Sequence, residues 1–131
     1  MQITSVAVFL KEGKVLLEKR DIKEDNYAGV LSLPGGHKRK SETIEKTLAR
    51  EMKEELKTKI IRYRHIGKFK DIDPTSKKIY VHNAFLCLEW KGMPAGKTAR
   101  WFKISAVLGG DGKFRNVDKR ILKKAGLQRK V

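Results

Sequence analysis

Residues 33–56 read LPGGHKRKSETIEKTLAREMKEEL, a glycine-rich turn followed by a helical pattern that carries several carboxylates. On a helix, residues three and four positions apart share a face, so Glu51 lies beside both Glu54 and Glu55. Clustered carboxylates repel one another unless a cation joins them. Hard divalent ions such as Mg²⁺ take oxygen ligands and bridge protein carboxylates to phosphates. The stretch therefore predicts a helix that holds metal for phosphate chemistry.

This stretch resembles the signature of the Nudix hydrolases, in which a glycine, a glutamate and an Arg-Glu-aliphatic-x-Glu-Glu run stand at fixed spacing. The positions that match in register are Gly36, Glu42, Arg50, Glu51, Met52, Glu54 and Glu55. Lys57 and Thr58 depart from the signature, which has a glycine and an aliphatic residue there. An amphipathic helix with a solvated acidic face is the simpler alternative, but it does not account for the spacing or the Leu-Pro-Gly-Gly lead-in.

The resemblance implies a divalent-metal site on the helix. Glu51, Glu54 and Glu55 are the implied metal ligands and catalytic residues, and the carbonyl of Gly35 is implied as a further ligand. The expected ion is Mg²⁺, with Mn²⁺ as the alternative. In the family one of the helix glutamates also serves as general base, and members differ in which one does so.

Further site residues follow from the same resemblance. Arg50 is expected to support catalysis by pairing with carboxylates such as Glu42, which would orient the helix. Gly36 is expected to let the backbone approach the substrate phosphates closely. Lys97 and Arg100 are candidate phosphate contacts, and solvated loop cations are the alternative interpretation.

The general base could also come from outside the helix. Many family members draw a further acidic residue from a loop near the C-terminal part of the sheet, but residues 92–100 contain none. Glu89, late in a predicted strand, is the nearest carboxylate. The base therefore lies in the helix itself, or Asp71 or Asp73 reaches the site.

Composition favours anionic partners and an intracellular setting. The chain has 131 residues, and its 31 Lys and Arg against 15 Asp and Glu give a net charge of +16. This charge favours nucleotides and allows RNA contact, although for RNA a solubility role explains it equally well. The single cysteine, Cys87, lies in an apolar run and predicts a buried thiol. No apolar run is long enough to span a membrane, so we expect a soluble, cytoplasmic protein.

The hydrophobic pattern predicts one α+β domain over residues 1–131. Apolar residues spaced four apart on the helix predict a face that packs on the sheet, with Ser41 or Thr43 as its cap. The resemblance implies an α/β/α sandwich with a mixed β-sheet. The predicted strands cover residues 2–10, 15–20, 30–33, 60–69, 79–90 and 100–102. The predicted helices cover Thr43 to Leu56, 104–108 and 116–125.

The sequence leaves the substrate open among nucleotide classes. Chain size and the Leu-Pro-Gly-Gly turn suit a MutT-like nucleoside triphosphate pyrophosphohydrolase. The Asp73-Pro74 pair resembles members that hydrolyse ADP-ribose, although it is also an ordinary turn pair. The high charge allows an RNA 5′-end pyrophosphohydrolase. A non-catalytic module that binds nucleotide or RNA is the alternative from another class, and the three glutamates argue against it. The chain is expected to be a monomer or a homodimer.

Aromatic side chains are the candidates for stacking on a base. They are Tyr27, Tyr80, Trp90, Trp101 and Phe102. Aromatic residues in strands are more often part of the core, and Trp101 in particular is expected to pack.

Overall fold

The computed structural model describes residues 1–19, 30–94, 99–110 and 114–129, with side chains to residue 126. The strands follow the chain as β1 (Gln2–Lys11), β2 (Lys14–Lys19), β3 (Leu31–Ser32), β4 (Gly35–His37), β5 (Lys59–Ile72), β6 (Ile79–Lys91) and β7 (Ala99–Lys103). The helices are α1 (Ile44–Leu56), between β4 and β5, followed after β7 by α2 (Ile104–Gly109) and α3 (Asn116–Arg129).

The strands form one mixed sheet around β1. The central order is β3-β2-β1-β6-β5, with β4 paired to β1 and β7 paired to β2. β1 runs parallel to β6, and the other pairs are antiparallel. The N-terminal half of β1 pairs with β4, whereas its last residues pair with β2. β1 therefore pairs with β2, β4 and β6, so this one strand joins the glycine-rich turn to the rest of the sheet.

Alternation along β1 divides the core into two layers. Val6 and Val8 point to the cluster that α3 covers, which includes Ile121. Ala7 and Phe9 point to the opposite cluster, which α1 covers with Leu48, Met52 and Leu56, called here the α1 stripe. Cys87 lies buried in this second cluster, where burial raises the pKa of its thiol to about 12. The predicted mixed sheet between helical layers is confirmed.

The observed elements differ from the predicted ones in one added strand and in several bounds, of which α3 shifts most, since it extends to Arg129 beyond the predicted end at 125. Gly35–His37 was expected as turn and loop but forms β4, because its backbone pairs with Thr4–Val6 of β1. β5 extends to Ile72, beyond the predicted end at 69, since its register with β6 continues to Ile79. Within the described residues, no helix combines the length and apolarity needed to cross a membrane.

The ends of α1 show how this sequence replaces the usual closing glycine. At the start, the Thr43 side chain accepts a hydrogen bond from the Lys46 N–H, so Thr43 is the cap. At the end, Lys57 adopts the left-handed conformation, with φ 55° and ψ 34°. The buried Thr58 hydroxyl donates to the Leu56 carbonyl at 3.1 Å, and the Thr58 N–H donates to the Met52 carbonyl at 3.2 Å. Thr58 therefore satisfies helix-end carbonyls that a signature aliphatic residue would reach only with its backbone.

Substitutions at Lys57 test this helix end. A β-branched residue is disfavoured at positive φ, so Lys57→Val should lower the free energy of unfolding by about 1 kcal/mol. Lys57→Gly should leave it unchanged or raise it by up to about 1 kcal/mol, because glycine adopts this conformation without strain. Urea denaturation measures both variants. At the helical position Lys53 the order should reverse, with glycine worse than valine. A glycine variant of Lys57 less stable than the valine variant would contradict the assignment.

Candidate active site

The Arg50 guanidinium is the centre of the acidic network on α1. Its Nε and Nη2 donate to the two carboxylate oxygens of Glu42 at 2.5 and 2.8 Å. Its Nη1 donates to Glu51 at 2.7 Å and lies 3.5 Å from a Glu54 oxygen. Nη2 also donates to the His37 carbonyl at 3.1 Å, which ties α1 to β4. The predicted pairing of Arg50 with Glu42 is present in the structure.

Glu42 is held ionised by this geometry. Besides the two bonds from Arg50, its Oε1 accepts hydrogen bonds from the Arg39 N–H at 3.0 Å and the Thr47 hydroxyl at 3.1 Å. The Arg50 hydrogen bonds are the largest cause that lowers the pKa of Glu42 to about 2. In return, the Glu42 hydrogen bond is the first cause that raises the pKa of Arg50. Both groups are therefore charged at neutral pH.

The glycines of β4 leave the space that the acidic cluster occupies. A Cβ on Gly36 would overlap the Glu51 carboxyl, so only glycine lets this carboxylate lie against the turn. A Cβ on Gly35 would overlap the Ser5 carbonyl and Val6 of β1. These contacts give a physical reason for the paired glycines. Gly35 allows β4 to pack closely on β1, and Gly36 leaves space for the Glu51 carboxylate.

Glu55 lies in a crowded acidic environment. Loss of hydration is the first cause that raises the pKa of its carboxyl to about 9, although the side chain still reaches solvent. The negative charge of Glu18 is the second cause, followed by the hydrogen bond and charge of Glu51. Three carboxylates therefore meet at this point, and in the protein alone a proton on Glu55 relieves their repulsion.

The observed cluster differs in membership from the predicted triad. Glu51 and Glu55 come together with Glu18, whereas Glu54 is 55% exposed and contacts Arg50. Among the described residues, no three His, Cys, Asp or Glu side chains are already arranged to hold a metal ion. The signal for Glu18 was strand alternation, because it stands two residues after Leu16 and so shares the sheet face that packs on α1.

The described Arg100 and Asp73, predicted outside the helix, have hydrogen-bond partners of their own. Arg100 is exposed on β7, and its Nη1 donates to the neighbouring Ala99 carbonyl at 2.8 Å. Asp73 is buried and accepts the N–H groups of Thr75 and Ser76, so it shapes the β5–β6 turn. Lys97 and Tyr27 lie outside the described residues.

Asp71 lies on the sheet face opposite to α1. Its carboxylate is 3.8 Å from Nε2 of His82, whose Nδ1 is 2.6 Å from the Thr4 hydroxyl. Thr4 alternates with Ser5, which donates to the Ile44 carbonyl at the start of α1. Within the part of the chain that is described, the acidic groups beside Glu55 therefore come from α1 and β2.

The described aromatic candidates divide into core and surface. Trp90 packs edge-on against Phe9, and Trp101 packs against the same α1-facing cluster, as expected for Trp101. Phe102 contacts Phe114. Tyr80 is half-buried, lies parallel to His82 and is 6.1 Å from the His37 ring that follows the glycine turn. Tyr80 is thus the candidate that adjoins the turn.

The acid sensitivity of the protein should depend on Glu42. Its folded pKa of about 2 lies below the ordinary 4.5, so the unfolded chain binds more protons between these values. Its contribution to stability is complete above pH 4.5 and is lost as the pH falls towards 2. Thermal unfolding at several pH values between 6 and 3 should show wild type and Glu42→Gln converging as the pH falls.

The control is Glu12→Gln, which changes an exposed carboxylate in the β1–β2 turn. It should stay close to wild type throughout this pH range. A constant difference between wild type and Glu42→Gln from pH 6 to pH 3 would contradict the ion-pair interpretation.

Comparison with solved structures shows the same fold in several proteins. A MutT NUDIX hydrolase from Burkholderia pseudomallei superposes with a TM-score of 0.81 at 23% identity, over 94% of this chain and 96% of that one. MutT from Methanosarcina mazei Go1 gives 0.79 at 20% identity, over 99% and 96%. The E. coli ORF135 protein gives 0.79 at 20% identity, over 98% and 91%. At these identities the likeness establishes the fold.

Sequence comparison establishes the family. The sequence matches none of the curated proteins with which it was compared. The family model of the NUDIX domain matches residues 1–125, which includes the glycine turn, the acidic helix and most of α3. The chain therefore belongs to the Nudix family, whose hydrolases act on pyrophosphate bonds.

Proposed function

We propose that the chain is a divalent-metal-dependent pyrophosphohydrolase that cleaves the pyrophosphate linkage of a nucleoside triphosphate or a nucleoside diphosphate derivative. The observation that carries this proposal is the carboxylate cluster that Arg50 fixes against the Gly35–Gly36 turn. Membership of the Nudix family supports hydrolysis of a pyrophosphate bond.

The donor set suits a hard divalent cation. Glu51, Glu54 and Glu55 would hold it with the Gly35 carbonyl, and Mg²⁺ or Mn²⁺ takes such oxygen ligands. Loss of hydration and then the charges of Glu18 and Glu51 raise the pKa of Glu55, and a bound cation would neutralise this carboxylate charge. Glu54 is more than half exposed and has only a 3.5 Å contact with Arg50, so its side chain can turn towards an incoming ion. When bound, the metal supplies charge neutralisation for the phosphates and activation of water.

Side chains on and beside α1 perform the remaining steps of the proposed reaction. Arg50 holds Glu51 in place, and Glu42 in turn holds the Arg50 guanidinium. A helix glutamate accepts the proton of the attacking water as its oxygen bonds to one phosphorus. The bridging P–O bond breaks, and the leaving phosphate takes the electron pair. Gly36 leaves the space beside the turn that the Glu51 carboxylate occupies.

Membership of the Nudix family supports a nucleotide rather than a free phosphate chain as the substrate. His37 follows Gly36 directly and lies 6.1 Å from Tyr80, which is parallel to His82. Because Tyr80 stacks on His82, it lies on the sheet face opposite to α1, and we assign no base-stacking residue to a substrate held by α1. We include MutT-like triphosphate substrates and ADP-ribose-like diphosphates in this class, since both join a base to a pyrophosphate.

The first experiment is release of phosphate and pyrophosphate from a nucleotide panel with Mg²⁺, Mn²⁺ or EDTA. The panel holds standard and oxidised nucleoside triphosphates, ADP-ribose, dinucleoside polyphosphates and 5′-triphosphorylated RNA. We expect metal-dependent release from one class and none in EDTA. Binding of a nucleotide or RNA without turnover under any condition would instead indicate a non-catalytic module.

Substitution of the helix glutamates tests the site assignment. Glu54→Gln and Glu55→Gln each remove a ligand charge but keep the side-chain volume, so kcat should fall at least about 100-fold. Circular dichroism should show an unchanged fold. Glu45→Gln, an exposed change on the same helix, is the matched control and should keep wild-type turnover. Near-normal turnover in both Glu54→Gln and Glu55→Gln would overturn the assignment.

A further inference from the structure

Helix α1 separates its charged side chains onto two flanks of the α1 stripe. At 3.6 residues per turn, Glu51 and Glu55 fall on one flank. Lys46 and Lys53, seven residues apart, fall on the other, and Lys57 follows where the helix ends. All three of these lysines are exposed. The acidic flank faces β2 and the glycine turn, so the basic flank is a separate surface that the proposed catalytic cluster does not use.

A cavity lies between this basic flank and the start of β5. Its volume is about 610 Å³, within the range of ligand-binding clefts. It is lined by Ala49, Lys53, Lys57, Thr58, Lys59 and Ile60. Three lysines therefore line it together with the apolar residues Ala49 and Ile60. Such a cavity attracts anionic groups and accommodates an apolar or aromatic one beside them.

The same face continues along β5 with exposed rings. Lys57 and Thr58 join α1 to β5, and the two elements contact one another. The Tyr63 and His65 rings both pack against Phe85, with ring centroids 5.5 and 5.0 Å apart. Phe85 belongs to the α1-facing cluster. Tyr63 is nevertheless 41% exposed. Its ring is thus presented on the side of the sheet that carries the lysines.

Few described carboxylates balance this surface. Glu45 stands at the first turn of α1, at the far end of the basic flank. Glu54 is engaged with Arg50, and Glu89 lies 3.9 Å from Arg62 of β5. The groove formed by the basic flank of α1 and by β5, called here the α1–β5 groove, is therefore strongly positive and carries an accessible ring.

We propose that the α1–β5 groove binds a single-stranded polynucleotide. Lys53, Lys57 and Lys59 contact its phosphates, and Tyr63 stacks on one of its bases. A positive groove that tracks a backbone beside an aromatic platform is how proteins bind single strands without sequence preference. A duplex fits poorly, because its bases are already stacked on one another. This binding does not depend on the proposed hydrolysis, since the groove and the carboxylates occupy opposite flanks of α1.

The test is fluorescence anisotropy of a labelled 15-nucleotide oligo(U) with a 5′-hydroxyl, in EDTA, over a series of KCl concentrations. Wild type should bind, with an affinity that falls as salt rises. The triple variant Lys53→Gln/Lys57→Gln/Lys59→Gln should bind at least about tenfold more weakly at low salt. Its plot of log affinity against log salt should be flatter by about 2, because each phosphate that a lysine neutralises adds roughly 0.7 to the slope.

Tyr63 gives an independent measurement. Tyr63→Leu keeps an apolar side chain against Phe85 but removes the ring, so affinity should fall about tenfold with an unchanged salt slope. Tyr63→Phe keeps the ring and should bind like wild type. Equal binding of oligo(dT) agrees with the proposal, because the contacts are to phosphates and a base face. Preference for duplex RNA over oligo(U) would overturn it.

A matched lysine cluster controls for net charge. Lys11, Lys14 and Lys103 are exposed neighbours on β1, β2 and β7, at the other side of the sheet from β5. Replacing these three by Gln lowers the net charge by the same amount and should leave affinity within about threefold of wild type. An equal loss of affinity in the two triple variants would show that binding depends on net charge alone, and it would overturn the proposed binding in the groove. Unchanged binding in Tyr63→Leu, with inorganic tripolyphosphate competing fully, would also overturn it by indicating an anion site alone.

Discussion

The ion-paired hydrogen bonds of Arg50 hold the functional part of this structure together. One guanidinium, 16% exposed, joins Glu42 before the helix, Glu51 within it and the His37 carbonyl of β4. Charge-assisted bonds of this kind are stronger than neutral ones, and the fork geometry of Arg fits a carboxylate with two parallel bonds. Removing Arg50 would leave two partly buried carboxylates facing one another, which is why a cation is required at this position. The glycine turn and the helix are positioned as one unit by this single side chain.

The same helix illustrates how one element serves several surfaces. The α1 stripe fixes the helix on the sheet, and the two flanks on either side of the stripe carry opposite charge. On the acidic flank, Gly36 makes room for Glu51, and Glu18 of β2 completes the crowding at Glu55. On the basic flank, lysines meet the edge strand β5. A net charge of +16 is therefore unevenly distributed, and the negative charge is concentrated where a cation would neutralise it.

Local signals in the sequence were sufficient for the parts of the site that lie on one element. Apolar periodicity predicted the helix and its stripe, because helical geometry determines which residues share a face. The Arg50–Glu42 pair was predicted from the resemblance of the Gly36-to-Glu55 spacing to the family signature. Glu18 was not predicted, since its approach to Glu55 depends on how β2 is placed against α1. β4 was also missed, because a three-residue strand with two glycines has no apolar alternation. At Lys57 the left-handed conformation lacked its usual glycine signal.

The central claim is that the acidic flank of α1 is a divalent-metal site for pyrophosphate hydrolysis. Anomalous diffraction from crystals soaked in MnCl₂, with a non-hydrolysable nucleotide analogue, tests it most directly. The account predicts an anomalous peak in contact with carboxylate oxygens of Glu51 and Glu55, adjoining the Gly35 carbonyl and the phosphates of the analogue. A peak only at other carboxylates such as Asp71, or bound nucleotide with no manganese on α1, would contradict the account.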